Sequence, residues 1–364
     1  MQSIVTKRPL RKAQSLAAAS LLALFLAGCG GSDSGGGGTS PGVVPTPTPS
    51  PTVTPSPPPS PSASPPPSPT PSPTSFTAAV SAMYDTPPNI LGCQTGTLKT
   101  SVRTEFLNRL NALRGLHGLP AVTYTTSAVD DQEVDQSSLM QAANGTLSHD
   151  PPNNWLCFTN TGHDGAASSN LIGGWGNGLP YYSEDDYLGL WLTEGGSAAT
   201  GHRRWILNPF LGKVAYGRVM QQYNNGGTPN YRADGATMKV FNFAIDPPTP
   251  AAASIPDFVA YPFNDYPVRY FRTSDYLSFS VVASKASRDG NANVKYDSAT
   301  ITVSNGSTNL TVTDVTRDNQ GFGLPNHIQW RVTGLQQNVT YTVRITGITG
   351  APQTSYQYNF TVQP

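Results

Sequence analysis

The feature that most constrains this chain is a tract from Gly30 to about Ser75 that cannot form a packed structure. Glycine dominates its first part, and proline then alternates with serine and threonine through Pro73. Because proline fixes φ and lacks a backbone donor, the tract favours an extended polyproline II conformation. At about 3.1 Å per residue, roughly 35 residues would span about 100 Å. We therefore predict a spacer over residues 29–77, followed by the globular part.

The first 28 residues have the pattern of a bacterial export signal. A basic start precedes an apolar run from Leu16 to Leu26, which is too short to span a bilayer comfortably. The run ends in Leu26-Ala27-Gly28-Cys29, which resembles the lipobox of bacterial lipoproteins. The resemblance implies cleavage before Cys29 and its acylation, so that several acyl chains hold the protein at a membrane. The alternative is an ordinary secretory signal.

These features predict a lipid-anchored protein outside the cytoplasm. Cys29 is followed by Gly30 rather than aspartate, which favours the outer membrane or the cell surface. Cys93 and Cys157 then remain, and outside the cytoplasm an isolated cysteine pair is more often a disulfide than a catalyst. We predict a structural disulfide between them that closes a long loop and stabilises the fold by a few kcal/mol.

The charge balance excludes a strongly charged partner. The chain has 22 basic and 22 acidic residues, so no net field attracts nucleic acid or an anionic surface. Only 12% of the residues are charged, and glycine and proline are abundant, which is typical of an extracellular, loop-rich and β-rich protein.

Apolar residues recur at helical spacing in the first globular part, residues 78–246. We predict a helix capped by Thr100 or Ser101, a second opened by Ser127, and a third opened by Ser183. Residues 153–182 are too irregular to assign. Strand-like pieces follow and, with the helices, predict an α+β fold. The pieces are Lys213–Val219, Asn230–Arg232 and Met238–Ala244.

Residues 247–269 are rich in proline and predict a linker. Beyond it, residues 270–364 alternate apolar and polar positions in the period of half-buried strands, with turn residues between the runs. This pattern favours an all-β immunoglobulin-like or fibronectin-like sandwich that serves as a spacer or an adhesive module. It has no evident catalytic group, because His327 is predicted on a loop and Asp314 and Asp318 in turns.

Three blocks of the first globular part together resemble one protein superfamily. The blocks are Asn108–Pro120, Leu147–His149, and Trp191–Glu194 followed by Gly201–Pro209. They are similar to the CAP/SCP superfamily, which includes plant pathogenesis-related proteins, and the match covers about Thr100 to Ala244. The resemblance implies a three-layer α–β–α sandwich.

The resemblance also implies a cleft with two histidines and two glutamates, which bind a divalent metal in some members. His149 and His202 match the histidines, and Glu194 matches the glutamate that follows the tryptophan of the family motif. Ser169, followed by Asn170, stands where the second glutamate is expected. Because serine is a poor zinc ligand, the resemblance leaves three candidate ligands and catalytic residues: His149, His202 and Glu194.

Two interpretations of these three residues stay open. Two histidines and one carboxylate form a set that catalytic zinc accepts, with a fourth position for water. Alternatively, His202 and Glu194 hydrogen-bond each other and brace the cleft without metal. Glu194 follows Tyr187 and Trp191 at helical spacing, which predicts a place on the apolar face of its helix, where a carboxylate needs a partner.

Other polar and aromatic residues are weaker candidates. We expect His117 to interact with the last carbonyls of its helix, and His163 to lie in a solvated loop or at the cleft rim. Either Arg203 or Arg204 is expected to pair with a carboxylate of the same domain. Four aromatic residues either form a rim for a sugar or lipid or cover loops: Trp155, Trp175, Tyr181 and Tyr182.

Three functions follow as hypotheses. The first is a non-catalytic binding module for a lipid, peptidoglycan or host-protein ligand. The second is a metal-assisted hydrolase of a peptide or cell-wall substrate that uses His149, His202 and Glu194. The third is a structural adhesin in which the β-sandwich makes the contacts. We favour the first, because the second glutamate is missing and no activated nucleophile is evident.

Overall fold

The computed structural model describes residues 75–194 and 199–364, which adopt an α+β fold. The predicted signal peptide, the lipidation site Cys29 and nearly all of the predicted spacer lie outside the described residues. The described residues belong to one compact unit. Among them, no helix has the length and apolar character needed to cross a membrane.

The α-helices all precede residue 207, and the strands beyond residue 255 form two further sheets. The helices are α1 (Phe76–Met83), α2 (Thr100–Leu116), α3 (Ala128–Asn144), α4 (Asn160–Ala167), α5 (Glu184–Thr193) and α6 (Gly201–Ile206). The first six strands are β1 (Tyr84–Thr86), β2 (Thr97–Leu98), β3 (Thr123–Tyr124), β4 (Ser169–Asn177), β5 (Lys213–Asn225) and β6 (Thr228–Lys239). The others are β7 (Phe258–Tyr261), β8 (Asn264–Pro267), β9 (Leu277–Val281), β10 (Thr300–Asn305), β11 (Thr308–Asn309), β12 (Val312–Asp318), β13 (His327–Val332), β14 (Thr340–Thr346) and β15 (Ser355–Gln363).

Two of the three predicted helix starts are confirmed. Ser183 and Asp186 form a reciprocal capping box at α5, and the Ser127 hydroxyl accepts a backbone hydrogen bond at the start of α3. The predicted cap of α2 is wrong, because Thr100 already lies in the first turn. The residue before it, Lys99, has extended backbone angles and makes no side-chain cap.

A four-stranded sheet of order β3-β5-β6-β4 organises the N-terminal region, which we define as residues 75–246. Strands β5 and β6 form one long antiparallel hairpin, and β4 extends it along β6. Helix α3 packs on one face, where Gly217 and Gly235 leave room for its backbone. On the other face, Phe106 of α2 stacks on Tyr216 with 3.9 Å between ring centroids. Because neighbouring strand residues face opposite sides, helices cover both faces of the sheet.

The stretch left unassigned, residues 153–182, contains both α4 and β4. Its glycines permit close backbone approach. A Cβ atom on Gly165 would lie 2.1 Å from the Glu133 carbonyl oxygen of α3, and one on Gly173 would lie 2.8 Å from the Asp234 carbonyl oxygen of β6. Contacts of this kind are tertiary and leave no apolar period in the sequence, which explains the missed elements.

The two-sheet region, residues 255–364, contains sheets of order β11-β10-β14-β15-β8 and β12-β13-β9-β7. The predicted alternating runs all lie in strands, and Phe279 of one sheet stacks on Tyr358 of the other. The predicted linker, residues 247–269, instead contains β7 and β8, one strand of each sheet. Each has only four residues and is flanked by proline or turn residues, so its alternation is too short to detect.

The two regions share one hydrophobic core. Trp191 and Ile206 from the N-terminal region belong to the same buried cluster as Tyr261 and Trp330 from the two-sheet region. A Cβ atom on Gly189 would lie 2.9 Å from a carbonyl oxygen of the two-sheet region. The N-terminal region is therefore packed against the two sheets, not only tethered to them.

Candidate functional site

Four predicted cleft residues lie close together, and we call His149, Asn170, Glu194 and His202 the histidine cluster. They come from the segment after α3, from β4, from the end of α5 and from α6. The ring centroids of His149 and His202 are 6.3 Å apart. Helix α6 is therefore the element that brings His202 to the other three residues.

Glu194 follows the last residue of α5 in a left-handed backbone conformation, with φ 41° and ψ 45°. This corrects its predicted place on the apolar face of the helix. Its buried carboxylate lies 3.1 Å from His202 Nδ1 through Oε1, and accepts the Arg203 backbone N–H through Oε2 at 3.2 Å. A non-glycine residue in this conformation costs about 1–2 kcal/mol, and such positions are concentrated at functional sites.

Two contacts orient His202 from opposite sides. Its Nδ1–H donates to Glu194, and the side-chain amide of Asn170 donates to its backbone carbonyl at 3.1 Å. The imidazole is mostly buried, with 18% of the side chain exposed. The predicted bracing of His202 by Glu194 is therefore present in the structure.

His149 is held by a different partner. Its Nδ1–H donates to the Ala166 carbonyl of α4 at 2.9 Å. Desolvation by the surrounding protein lowers the pKa of His149, and the nearby His202 lowers it further, against the opposing effect of the Ala166 hydrogen bond. The neutral ring thus carries its proton on Nδ1. Among the described residues, Nε2 of neither cluster histidine has a hydrogen-bond partner.

Ser169 does not join these contacts. It is buried on β4, and its hydroxyl has no hydrogen-bond partner among the described residues. Because adjacent strand residues face opposite sides, Ser169 and Asn170 do not share a face, and Asn170 reaches α6. The residue that replaces the expected glutamate is therefore not the one that contacts His202.

The positions of the cluster side chains can be compared with the predicted metal site. In residues 75–194 and 199–364, no group of three His, Cys, Asp or Glu side chains is placed to hold a metal ion. The carboxylate of Glu194 lies at Nδ1 of His202, the nitrogen that already carries the proton. Glu194 therefore acts on the orientation of His202, and metal binding by His149, His202 and Glu194 stays a prediction.

His117 contacts the last carbonyls of α2 through its backbone N–H, as predicted, but its side chain has other partners. It is fully buried and links the two regions, because its Nδ1 lies 2.8 Å from the Ala260 carbonyl and its Nε2 lies 3.0 Å from the Tyr266 hydroxyl. Burial lowers the pKa of His117 to about 3, so the ring is neutral at physiological pH. Its sequence position after a helix gave no sign of partners about 145 residues away.

His163 and the candidate aromatic rim lie apart from these contacts. His163 is on α4, partly exposed, and its Nε2 lies 3.1 Å from Asp150. Tyr181 and Tyr182 instead cover Arg218, which forms an ion pair with Asp234 in the core. Trp155 and Trp175 are partly buried. A ligand role for the aromatic residues stays a prediction.

Both arginines that follow His202 contact the two-sheet region, which corrects the prediction of a carboxylate partner in the same domain. Arg204 pairs with Asp318 at 2.7 Å, and Arg203 donates to the Tyr276 carbonyl at 2.9 Å. Asp318 ends strand β12 and is not a turn residue. The partners are more than 70 residues apart, so no local sequence signal could have identified them.

Thr200 and His327 form a further contact that the sequence did not reveal. His327 begins strand β13 and is buried, with Nε2 3.1 Å from the Thr200 hydroxyl, whereas it was predicted on a loop. Thr200 also donates to Gln329 at 2.8 Å. Burial, and then the charge of nearby Arg204, lowers the pKa of His327 well below its usual range.

The predicted disulfide is confirmed. Cys93 and Cys157 are bonded, with 5.2 Å between their Cα atoms, and they join the loop after β1 to the segment before α4. The bridge lies at the opposite end of α4 from Ala166, the residue whose carbonyl holds His149. A disulfide is compatible with a protein outside the cytoplasm.

Comparison with known proteins does not assign the chain to a family. No protein-family model matches the chain, and no curated protein matches it either. The resemblance to the CAP/SCP superfamily therefore rests on the three sequence blocks and stays a prediction.

Proposed function

We propose that this protein is a lipid-anchored binding module that acts outside the cytoplasm. The N-terminal region would be a CAP/SCP-like α–β–α domain, and the two-sheet region would be an immunoglobulin-like support. A lipid on Cys29 and the proline-rich spacer would hold both at a distance from the membrane. The ligand would be a lipid, a cell-wall polymer or a protein, bound without chemical conversion.

The observation that carries this proposal is the hydrogen bonding of the Glu194 carboxylate. Both of its oxygens already accept hydrogen bonds, one from His202 and one from the Arg203 backbone. A carboxylate engaged in this way holds neighbouring groups in place and is poorly placed to take a proton from a substrate. The central sheet has α3 on one face and α2 on the other, and this layering also supports a CAP/SCP-like fold.

Binding by the full-length protein to two probes tests the proposal. Purified peptidoglycan sacculi and phosphatidylcholine–phosphatidylglycerol vesicles would each be sedimented with the wild type and with His202→Ala. We expect retention on one probe, without release of soluble fragments from the sacculi, and retention that survives His202→Ala because His202 braces the site.

A bulky substitution locates the binding surface. His149→Trp adds volume at an exposed residue of the histidine cluster and is expected to lower retention at least about tenfold, the usual effect of altering a central contact. Arg331→Trp, at a half-exposed residue of β13 in the two-sheet region, is the control and should bind normally. Equal binding by both variants would place the ligand elsewhere.

A metal-assisted hydrolase is the second candidate, and one observation favours it. Both cluster histidines donate Nδ1–H to an oxygen, which is the arrangement that orients metal-binding histidines in proteins. Stoichiometric zinc in the wild type, lost in both His149→Ala and His202→Ala and accompanied by release of peptidoglycan fragments, would replace the binding proposal with this one.

A further inference from the structure

A small cavity lies between α6 and the two-sheet region, away from the histidine cluster. Its volume is about 20 Å³, enough for one water-sized occupant. Three aliphatic side chains form part of its wall, and the polar part comes from Arg203, Arg204, Ser278, Ser280 and His327.

The two arginines have hydrogen-bonding groups without partners. Nη2 of Arg203 and Nε of Arg204 are buried, and neither has an acceptor among the described residues. Both residues are almost fully buried, at 1% and 6% exposure. Because nearly all buried N–H groups in proteins are satisfied, two such groups on side chains that line the same cavity indicate an acceptor inside it.

The charge balance indicates what kind of acceptor fits. Arg204 pairs with Asp318, but no described carboxylate lies within 4.0 Å of the Arg203 guanidinium. Arg203 instead contacts neutral groups: the carbonyls of Leu192 and Tyr276, and the Ser278 hydroxyl. A buried cation without a directly paired anion is disfavoured, and a neutral water would satisfy the N–H groups without supplying a negative charge.

The remaining cavity wall is suited to an anion. His327 is kept neutral in part by the positive charges of Arg204 and Arg203, which shows that the local potential is positive. The hydroxyls of Ser278 and Ser280 can rotate to donate. Among the described residues that line the cavity, none has a carboxylate side chain.

We propose that this cavity is a binding site for one small monovalent anion of the size and charge of chloride. The bound anion would neutralise Arg203 and join α6 to β9 and β13. The inference is independent of the proposed function, because none of the described residues that line the cavity belongs to the histidine cluster.

Thermal unfolding of the full-length protein tests the site. The melting temperature would be compared in sodium chloride and in sodium gluconate at equal ionic strength, since gluconate is too large for the cavity. An anion bound only by the folded state is expected to raise the melting temperature by about 2–4 °C. Equal melting temperatures in the two salts would overturn the proposal.

Matched variants assign the effect to the cavity. Arg203→Met removes the buried guanidinium and should abolish the difference in melting temperature between the two salts. Arg331→Met removes an arginine of β13 whose side chain is 46% exposed, and should keep the difference. A chloride effect that persists in Arg203→Met would contradict the site.

A direct measurement decides the matter if Arg203→Met fails to fold. Crystals of the wild type grown with sodium bromide should show one anomalous peak within hydrogen-bond distance of Arg203 Nη2. Density there without an anomalous signal would identify the occupant as water and refute the anion site.

Discussion

The two sides of helix α6 differ in how they hold their polar groups. On one side His202 meets Glu194 and His149, and the Nε2 atoms of both rings have no hydrogen-bond partner among the described residues. On the other side Arg203 and Arg204 are buried against the two-sheet region. A helix of six residues cannot be stable by itself, so tertiary contacts must fix it.

This difference separates the contacts that support α6 from the side of the helix on which we propose that a ligand binds. On the buried side, Arg204 pairs with Asp318 and Arg203 donates to the Tyr276 carbonyl, and these long-range contacts specify the position of the helix. The histidine side keeps groups that can still accept a hydrogen bond from a ligand. The two-sheet region is thus a structural part of the candidate site and not only a spacer behind it.

The largest effect is expected from Arg204→Met. It removes a buried guanidinium that pairs with Asp318 and also donates to the Leu324 carbonyl. Breaking such a pair should lower the free energy of unfolding by about 3 kcal/mol. His202→Ala, on the other side of the same helix, should lower it by about 1 kcal/mol, as for loss of a single partly exposed pair. Urea unfolding of both variants measures the difference. Equal losses of stability would show that the two sides of α6 contribute equally to holding the helix.

The pH dependence of stability should also come from the buried side. The pKa of His117 is lowered to about 3, and burial lowers that of His327 well below its usual range, so both are neutral when folded. Unfolded histidine has a pKa of about 6.5, so the unfolded chain binds more protons below that value. The free energy of unfolding should therefore fall by about 1.4 kcal/mol per pH unit and per histidine as the pH drops below about 6.5.

A variant isolates the contribution of His327. His327→Gln cannot titrate, so the fall in the free energy of unfolding below about pH 6.5 should become shallower by up to about 1.4 kcal/mol per pH unit. The readout is the slope of stability against pH, which is insensitive to a constant loss of stability in the variant. An unchanged slope would show that His327 is protonated in the folded protein.

A smaller effect is expected from Thr200→Val, which preserves shape and removes the hydroxyl that contacts His327 and donates to Gln329. Loss of a buried hydrogen-bonding group should lower the free energy of unfolding by about 1–3 kcal/mol. Thr104→Val, which removes an exposed hydroxyl on α2, is the control and should change it by less than about 0.5 kcal/mol. Thermal unfolding distinguishes them, and equal shifts would count against the Thr200 contact.

The smallest change in stability is expected from Glu194→Gly. Glycine adopts the left-handed backbone of this position without strain, which offsets the loss of the contacts to His202 and Arg203. The free energy of unfolding should change by less than about 1 kcal/mol, and retention on the ligand probe should persist, as is expected for His202→Ala. A large destabilisation would show that Glu194 is a structural residue like Arg204.

Local patterns predicted most elements, and long-range contacts explain what they missed. The capping box at Ser183 and the alternation in β13 and β14 are local, so they were recognisable in sequence. The partners of His117 and Arg204 lie more than 110 residues away, and Gly165 matters only because α3 approaches it. The resemblance of the three sequence blocks therefore indicated residues that lie close together in the structure, whereas nothing local in the sequence could identify the partners of the arginines.

Native-state hydrogen exchange of the full-length protein tests the central claim, that the two-sheet region holds the helix that carries His202. Peptides covering α6 and β13 would be followed by mass spectrometry in the wild type and in Asp318→Asn. We predict equal opening free energies for α6 and β13, both lowered by about 1–2 kcal/mol in the variant. Opening of α6 at a lower free energy than β13, unchanged by Asp318→Asn, would show that the helix is held by the N-terminal region alone.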